Sequence, residues 1–409
     1  MTPWDAVVVG AGPAGSASAV CLARGGARVL LIDRAAFPRD KACSEYLSPE
    51  TTSVLSRLGV LEAVERAAPA RLYGMSVTAP DGTTMRGTFA GRHAYPSPRP
   101  YSFALPRRTF DTILRRAAET AGAVVREDVT VEDVVRLDGA ATGVVARDRA
   151  GHRERIPAHV VIGADGLHSV VARRLRLARR SGPRRIAWTA HLRGVKGVGA
   201  LGELHVSDCG YVGLGPVGDD VTTVALVLPL DAARQRGPAL RRGFLPELER
   251  FPGLAGRFTQ AATVSEVLVT GPFARWSRRA VAPGGGALLV GDAADFFDPF
   301  TGQGIFSALK GAELAAATVL AALAASGSRR PMDATRLAPY RAARRATFAG
   351  KWVLERLIGV GVGWPWITNR VVRRLAERRD LADLLVGATG NFVPPGAVLA
   401  PAALAGMLW

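Results

Sequence analysis

Cysteine is scarce in this sequence. Cys21, Cys43 and Cys209 are the only three, odd in number and far apart. They supply neither a disulfide framework nor a thiolate zinc set, and no other cluster reads as a metal site. Long apolar runs are also missing. The longest, around 314–325 and 396–409, fall short of the roughly 18–20 residues that span a bilayer, and Pro401 interrupts the second. The chain does not open on a basic stretch followed by an apolar run and a cleavage site. Residues 7–9 run directly into glycines, so the expected location is the cytoplasm. Acidic residues are few: 35 Asp+Glu stand against 53 Lys+Arg, giving a formal charge of +18. The arginines are dispersed in pairs without a compact basic tail, which argues against nucleic acid as a partner.

What is present is a globular composition, 48% apolar and 22% charged, in a chain long enough for two or three domains. Residues 5–9 form an apolar strand. A helix over 14–24 follows, with Ala14, Ser16, Ala17 and Ala19 small enough for close approach to a sheet. Residues 28–32 form a second strand that ends at Asp33, completing a βαβ unit. Further buried strands are expected at 159–162 and 287–290. Between 184 and 270 the texture changes to strand-like runs, 186–193, 201–207 and 221–228, separated by glycine turns and closed by a helix pair over 231–255. Helices over 303–325, 333–357 and 364–379 complete the chain.

Gly10-Ala11-Gly12-Pro13-Ala14-Gly15 lies between the first strand and the first helix. Gly10 permits the sharp turn, Gly12 lets backbone approach a pyrophosphate, and Gly15 lets helix and sheet pack closely. Phosphates would meet the helix N-terminus, where free N–H groups and the dipole favour negative charge. Asp33 is placed to bond the ribose hydroxyls of a dinucleotide. A second match to the bare glycine spacing, at 197–202, is followed by an alternating, strand-like run and no helix. A second nucleotide would therefore have to visit without a fold of its own.

Three separated motifs resemble one family. They are 10–15 with Asp33; Gly163-Ala164-Asp165-Gly166 with Ser169 and Val170; and 291–305, which reads GDAADFFDPFTGQGI. The set is similar to the FAD-dependent oxidoreductases that include aromatic-ring hydroxylases, geranylgeranyl reductases and flavin-dependent halogenases. Arg107 with Phe110-Asp111 matches a helix start of that family. Residues 41–45 resemble the K-x-C-G-E segment of its reductase and halogenase branch, with Ser44 in place of glycine.

The resemblance implies an α/β fold in which a Rossmann-type FAD-binding domain (1–70, 101–183 and 271–330) carries an inserted, mostly antiparallel β substrate region (71–100 and 184–270) and a C-terminal helical region (331–409). It implies noncovalent FAD, held by Gly10, Gly12, Pro13, Ala14, Gly15, Asp33, Arg34, Arg39, Arg107, Val129, Asp165, Gly166, Asp292, Pro299, Gly302, Gln303, Gly304 and Ile305. NAD(P)H would be a transient reductant. The N-terminus of the helix over 303–325 would stabilise negative charge on a reduced flavin.

On the branch, the sequence is less specific. Residues 363–367 (GWPWI) resemble a halogenase motif but lie beyond the third motif and differ in spacing, and 209–216 keeps only Tyr211 and Pro216 of a reductase segment. The leading expectation is an NAD(P)H-dependent monooxygenase acting on a lipophilic aromatic, polyketide or isoprenoid substrate. The alternatives are a reductase or dehydrogenase of the geranylgeranyl reductase type and a non-catalytic flavin-binding partner protein. Cys43, Glu45 and Tyr211 are the candidate catalytic side chains. Partners would be a lipophilic small molecule and, given the charge, a carrier-protein-bound substrate or a membrane surface to which the protein is peripheral.

Overall fold

The computed structural model describes residues 2–180, 182–237, 239–277, 279–325 and 331–408. The domain boundary expected at 330 falls outside the described residues.

Residues 6–9 of Trp4–Val9 and all of Val29–Ile32 are apolar and buried, so both faces of the sheet they form are covered, one of them by the helix Pro13–Arg24. That sheet has seven strands. Its parallel part runs Val124–Arg126, Val29–Ile32, Trp4–Val9 and the second half of Arg153–Gly163, with Ala287–Leu289 beyond. The first half of Arg153–Gly163 pairs antiparallel with Ala140–Arg147, which pairs with Thr130–Leu137. One long strand thus joins the nucleotide sheet to a meander. The helix Pro13–Arg24 packs against Gly304–Ala324 and Arg107–Thr120. Gly15 makes the close approach possible, since a Cβ there would lie 1.7 Å from the Gly10 carbonyl oxygen.

A second sheet of eight strands runs Ala262–Thr263, Arg185–Arg193, Val221–Pro229, Gly210–Gly218, Gly202–Ser207, Gly74–Thr78 and Thr84–Thr88, with Leu268–Thr270 also on Arg185–Arg193. It is antiparallel except where Gly202–Ser207 meets Gly74–Thr78 in parallel. The run after 197–202 is therefore a strand, as its alternation indicated. Along Arg185–Arg193, Trp188, Ala190 and Leu192 join a core with Leu240, Phe244 and Leu248, while Ala187 and Thr189 face a cavity. The helix pair expected over 231–255 is instead three short helices, Leu230–Arg236, Ala239–Arg242 and Phe244–Leu248, divided at Gly237 (φ +57°) and Gly243.

After Ala334–Gly361 come Pro365–Glu377, Arg379–Thr389, Pro395–Val398 and Pro401–Leu408. The helices after Glu377 fall in the C-terminal helical region expected over 331–409, in which no separate bounds are drawn beyond 379. Arg379–Thr389 covers the edge strand Thr84–Thr88, and Asp383, whose carboxylate accepts the Thr88 and Arg92 amide protons at 2.7 and 2.9 Å, fastens it there.

Candidate functional site

A cavity of about 590 Å³ lies between the two large sheets. At one end it is lined by Gly10, Gly12, Pro13, Ala14, Asp33, Arg34, Arg39, Arg107 and Val129. Gly10 has φ +99°, and a Cβ there would sit 2.6 Å from the Ala164 carbonyl oxygen. Gly12 is open: a Cβ would meet only Arg39 Nη2 at 3.7 Å and Arg107 Nη2 at 3.8 Å. A helix N-terminus with two guanidiniums over its first turn is an anion cradle.

Asp111 sets up those guanidiniums. It is fully buried and takes two hydrogen bonds from Arg107, both 2.7 Å, with Arg39 Nη1 at 3.1 Å. Burial opposes the charge of Arg107, but Asp111 and the nearby Cys43 outweigh it and hold its pKa above the usual range. Asp33 accepts the Ala11 amide proton at 2.7 Å and that of Ala35 at 2.9 Å, so one carboxylate ties the glycine loop to the turn that follows the second strand. Val129 donates its N–H to the Asp33 carbonyl at 2.9 Å.

Further in, Asp165 Oδ2 accepts from the amides of Val170 (2.6 Å) and Val171 (3.3 Å), while Oδ1 is buried without a partner. Burial raises its pKa. Burial also pushes Asp292 up to about 6, against the pull of Lys41. Lys41 is itself lowered, by burial and then by Arg107 and Arg39. Pro299, Gly302 (φ +66°), Gly304 and Ile305 line the same wall, at the start of Gly304–Ala324. These residues fit FAD: an open glycine cradle, two cations above it, and an orphaned carboxylate oxygen between cradle and cavity.

Two expected cofactor residues stand elsewhere. Gly15 does not line the cavity; its contribution is the helix–strand contact described above. Gln303 is buried and its side-chain amide donates to the Ala388 carbonyl at 2.9 Å, so it ties the flavin-side turn to Arg379–Thr389.

Of the three candidate catalytic residues, Cys43 lines the cavity, and burial pushes its thiol pKa up despite Arg107. Glu45 lies outside the lining, at φ +62°. Its Oε1 accepts the Arg107 amide proton (2.9 Å) and its Oε2 is 2.7 Å from His191 Nε2. Tyr211 faces the cavity, but its hydroxyl donates to Asp298 Oδ1 at 2.6 Å and is committed there rather than to a substrate. Asp298 also holds Arg185 Nη1 at 2.6 Å and the Phe300 amide at 3.0 Å.

Sequence reasoning missed this buried Arg185–Asp298–Tyr211 link between the substrate sheet and the turn at Pro299. Asp298 lay in plain view within the third motif, but its partners are set only by the fold. The remaining wall is mostly apolar, with Leu72, Met75, Leu204, Leu214, Val227, Phe273 and Phe296, interrupted by Thr189, Glu203, Thr223 and Thr270.

The FAD binding domain family matches residues 4–350. The chain is 31% identical over 354 residues to digeranylgeranylglycerophospholipid reductase 1 of Methanothermobacter thermautotrophicus, covering 83% of this chain and 82% of that protein. It is 29% identical over 330 residues to the menaquinone reductase of Mycolicibacterium smegmatis, covering 77% and 76%. A solved flavoprotein/dehydrogenase from Cytophaga hutchinsonii superposes with a TM-score of 0.82 at 19% identity, over 98% of this chain and 96% of that one.

Proposed function

Since this chain belongs to the FAD-dependent oxidoreductases, with their FAD binding domain over residues 4–350, we propose that it is a reductase that adds two hydrogens to a double bond of a lipophilic, polyprenyl-type substrate. The observation that carries this reading is the wall beyond the nucleotide end: seven apolar side chains, with the Tyr211 hydroxyl already committed to Asp298. Such a surface suits a hydrocarbon chain and rewards its burial at about 25 cal/mol per Å². The names of the relatives support it, since menaquinone and the digeranylgeranyl lipid both carry polyprenyl chains.

Bound FAD would supply the hydride, and NAD(P)H would resupply the FAD. The chain's own residues bind, orient and provide a proton. Arg39, Arg107 and the free N–H groups of the first helical turn beyond Pro13 would hold the pyrophosphate. Asp292 and the turn at Gly302–Gly304 position the ring end. Cys43, with its thiol kept protonated by burial, is a neutral acid on the cavity wall and can deliver the proton that completes the addition. Residues 197–202 lead into the strand Gly202–Ser207 and not a helix, so among the described residues NAD(P)H would meet no second glycine-loop fold there and would visit the same cavity.

Monooxygenation is the second reading. Thr223 favours it: the Oγ1 is buried on the cavity wall without a partner, and would bond a polar substituent on an aromatic ring. Anaerobic mixing separates the two. If reduced holoenzyme is reoxidised without oxygen by a geranylgeranyl lipid, which has no quinone ring to take the electrons, it is a reductase. Reoxidation only when oxygen is admitted favours the second reading.

A further inference from the structure

The helix Ala334–Gly361 carries large apolar side chains on its outside. Val353, Leu357 and Val360 recur at helical spacing and are 49%, 52% and 46% exposed; Trp364 and Trp366, just beyond the helix, are 53% and 65% exposed. Five such side chains in one place are more than scattered surface apolarity. The tryptophans belong to the GWPWI segment, which the flavin site does not use.

Along this segment of sequence the charge is almost all positive. Between residues 334 and 376 the only acid is Glu355, and it is buried with Lys351 Nζ at 2.5 Å. The Arg356 guanidinium lies 5.0 Å from the Trp276 ring centre. Trp276 sits in a three-stranded sheet, Arg179–Arg180, Arg275–Trp276 and Asp295–Phe296, in which Arg180 and Arg275 are directly opposite each other. Like charges at opposed positions destabilise a strand pair. No carboxylate among the described residues relieves this one. Burial, then Arg180, Arg173 and Arg184, hold the Arg275 pKa down.

Arg356, on the flank of the same helix, links the apolar side chains to this sheet through Trp276. Arg185 Nη2 donates to the Gly359 carbonyl at 2.9 Å, and Phe297 packs against both Gly182 and Gly359. The substrate cavity is close by: Phe296, opposite Arg275 in register, lines it.

We propose that this face, Val353, Leu357, Val360, Trp364 and Trp366 rimmed by Arg180, Arg275 and Arg356, docks on an anionic lipid surface. Tryptophan and aliphatic side chains seat at the headgroup boundary, and arginines beside them meet anionic lipid. A second copy of the chain fits less well, because an isologous contact would set the same unpaired arginines against each other. A nucleotide phosphate would use the arginines and leave the apolar side chains in water.

The test is sedimentation of holoenzyme with vesicles of phosphatidylcholine alone or mixed with phosphatidylglycerol, without substrate, so that it is independent of the reductase reading. Binding is expected to the mixed vesicles, weakened by salt. Arg180→Ala should weaken it about fivefold, and the double change Trp364→Ser, Trp366→Ser tenfold or more. FAD content should stay at the parent level in each, which also shows that they fold. Equal binding to both vesicle types, or to neither, overturns the proposal. So does a dimer that Leu357→Glu converts to a monomer, which would assign the face to a second copy. Loss of vesicle binding on adding NADPH, with no effect of the tryptophan changes, would assign the arginines to the nucleotide and overturn it as well.

Discussion

Glu45 reaches from the flavin-side segment to His191 on the substrate sheet, with Oε2 and Nε2 2.7 Å apart. Its other oxygen accepts the Arg107 amide, so one carboxylate couples the cofactor cradle to the sheet that shapes the substrate wall. The hydrogen bond to Glu45 raises the His191 pKa, against burial. The folded protein therefore keeps a proton that the unfolded chain has released. The stabilisation is full below the ordinary imidazole value of about 6.5 and is lost as pH rises through the higher folded value. Urea midpoints of the parent should fall across that window, and those of Glu45→Gln should fall less, a difference on the order of 1 kcal/mol.

Asp111 is the counter-charge for Arg107 and Arg39 in a fully buried position. Asp111→Ala leaves the Arg107 charge uncompensated in the interior. The expected loss is about 3–5 kcal/mol, read from urea unfolding of the cofactor-free protein.

Gly12 and Gly15 should separate binding from folding. Gly12→Ala meets nothing closer than 3.7 Å, so the protein should fold normally while the new methyl group occupies the pyrophosphate approach. FAD affinity should drop at least about tenfold, the loss of roughly one charge-assisted hydrogen bond. In Gly15→Ala the Cβ would overlap the Gly10 carbonyl at 1.7 Å, and the expected outcome is misfolded, insoluble protein. Flavin absorbance per mole of soluble protein checks both.

Asp292→Ala should weaken FAD by roughly tenfold to a hundredfold if its carboxylate bonds the cofactor. Without cofactor its raised pKa acts in the opposite sense. The unfolded carboxyl ionises near 3.8 and the folded one near 6, so stability falls as pH rises between those values. Asp292→Asn should remove that fall, as thermal unfolding of cofactor-free protein at a series of pH values would record.

The nucleotide end was legible in the sequence because its chemistry is local. Strand, glycine loop, helix and Asp33 are nearly consecutive, and each glycine has a backbone reason to be where it is. The strand after 197–202 could be read for the same reason, from its alternation. Gln303 sits inside a recognisable motif, yet its side chain turns to Ala388, more than eighty residues away in sequence. Tyr211 lines the cavity, but Asp298, the carboxylate that accepts its hydroxyl's hydrogen bond, belongs to a distant segment. Glu45 was singled out without its partner, His191. Contacts between the inserted sheet and the flavin-side turns depend on how two lobes meet, and no periodicity encodes that. The last helices lie inside the expected helical region but had no bounds of their own, because their short apolar stretches, broken by Pro394, Pro395 and Pro401, carry no sustained helical period.

The central claim is hydrogen addition within an apolar cavity, and product mass tests it most directly. Holoenzyme, NAD(P)H and a polyprenyl quinone or geranylgeranyl lipid are incubated with and without oxygen, and the lipid is weighed by mass spectrometry. Addition to the chain gives a product heavier by two hydrogens, formed equally well under nitrogen and, for a quinone, still heavier by two after chemical reoxidation of the quinol. A product heavier by one oxygen atom, formed only in air, would contradict it.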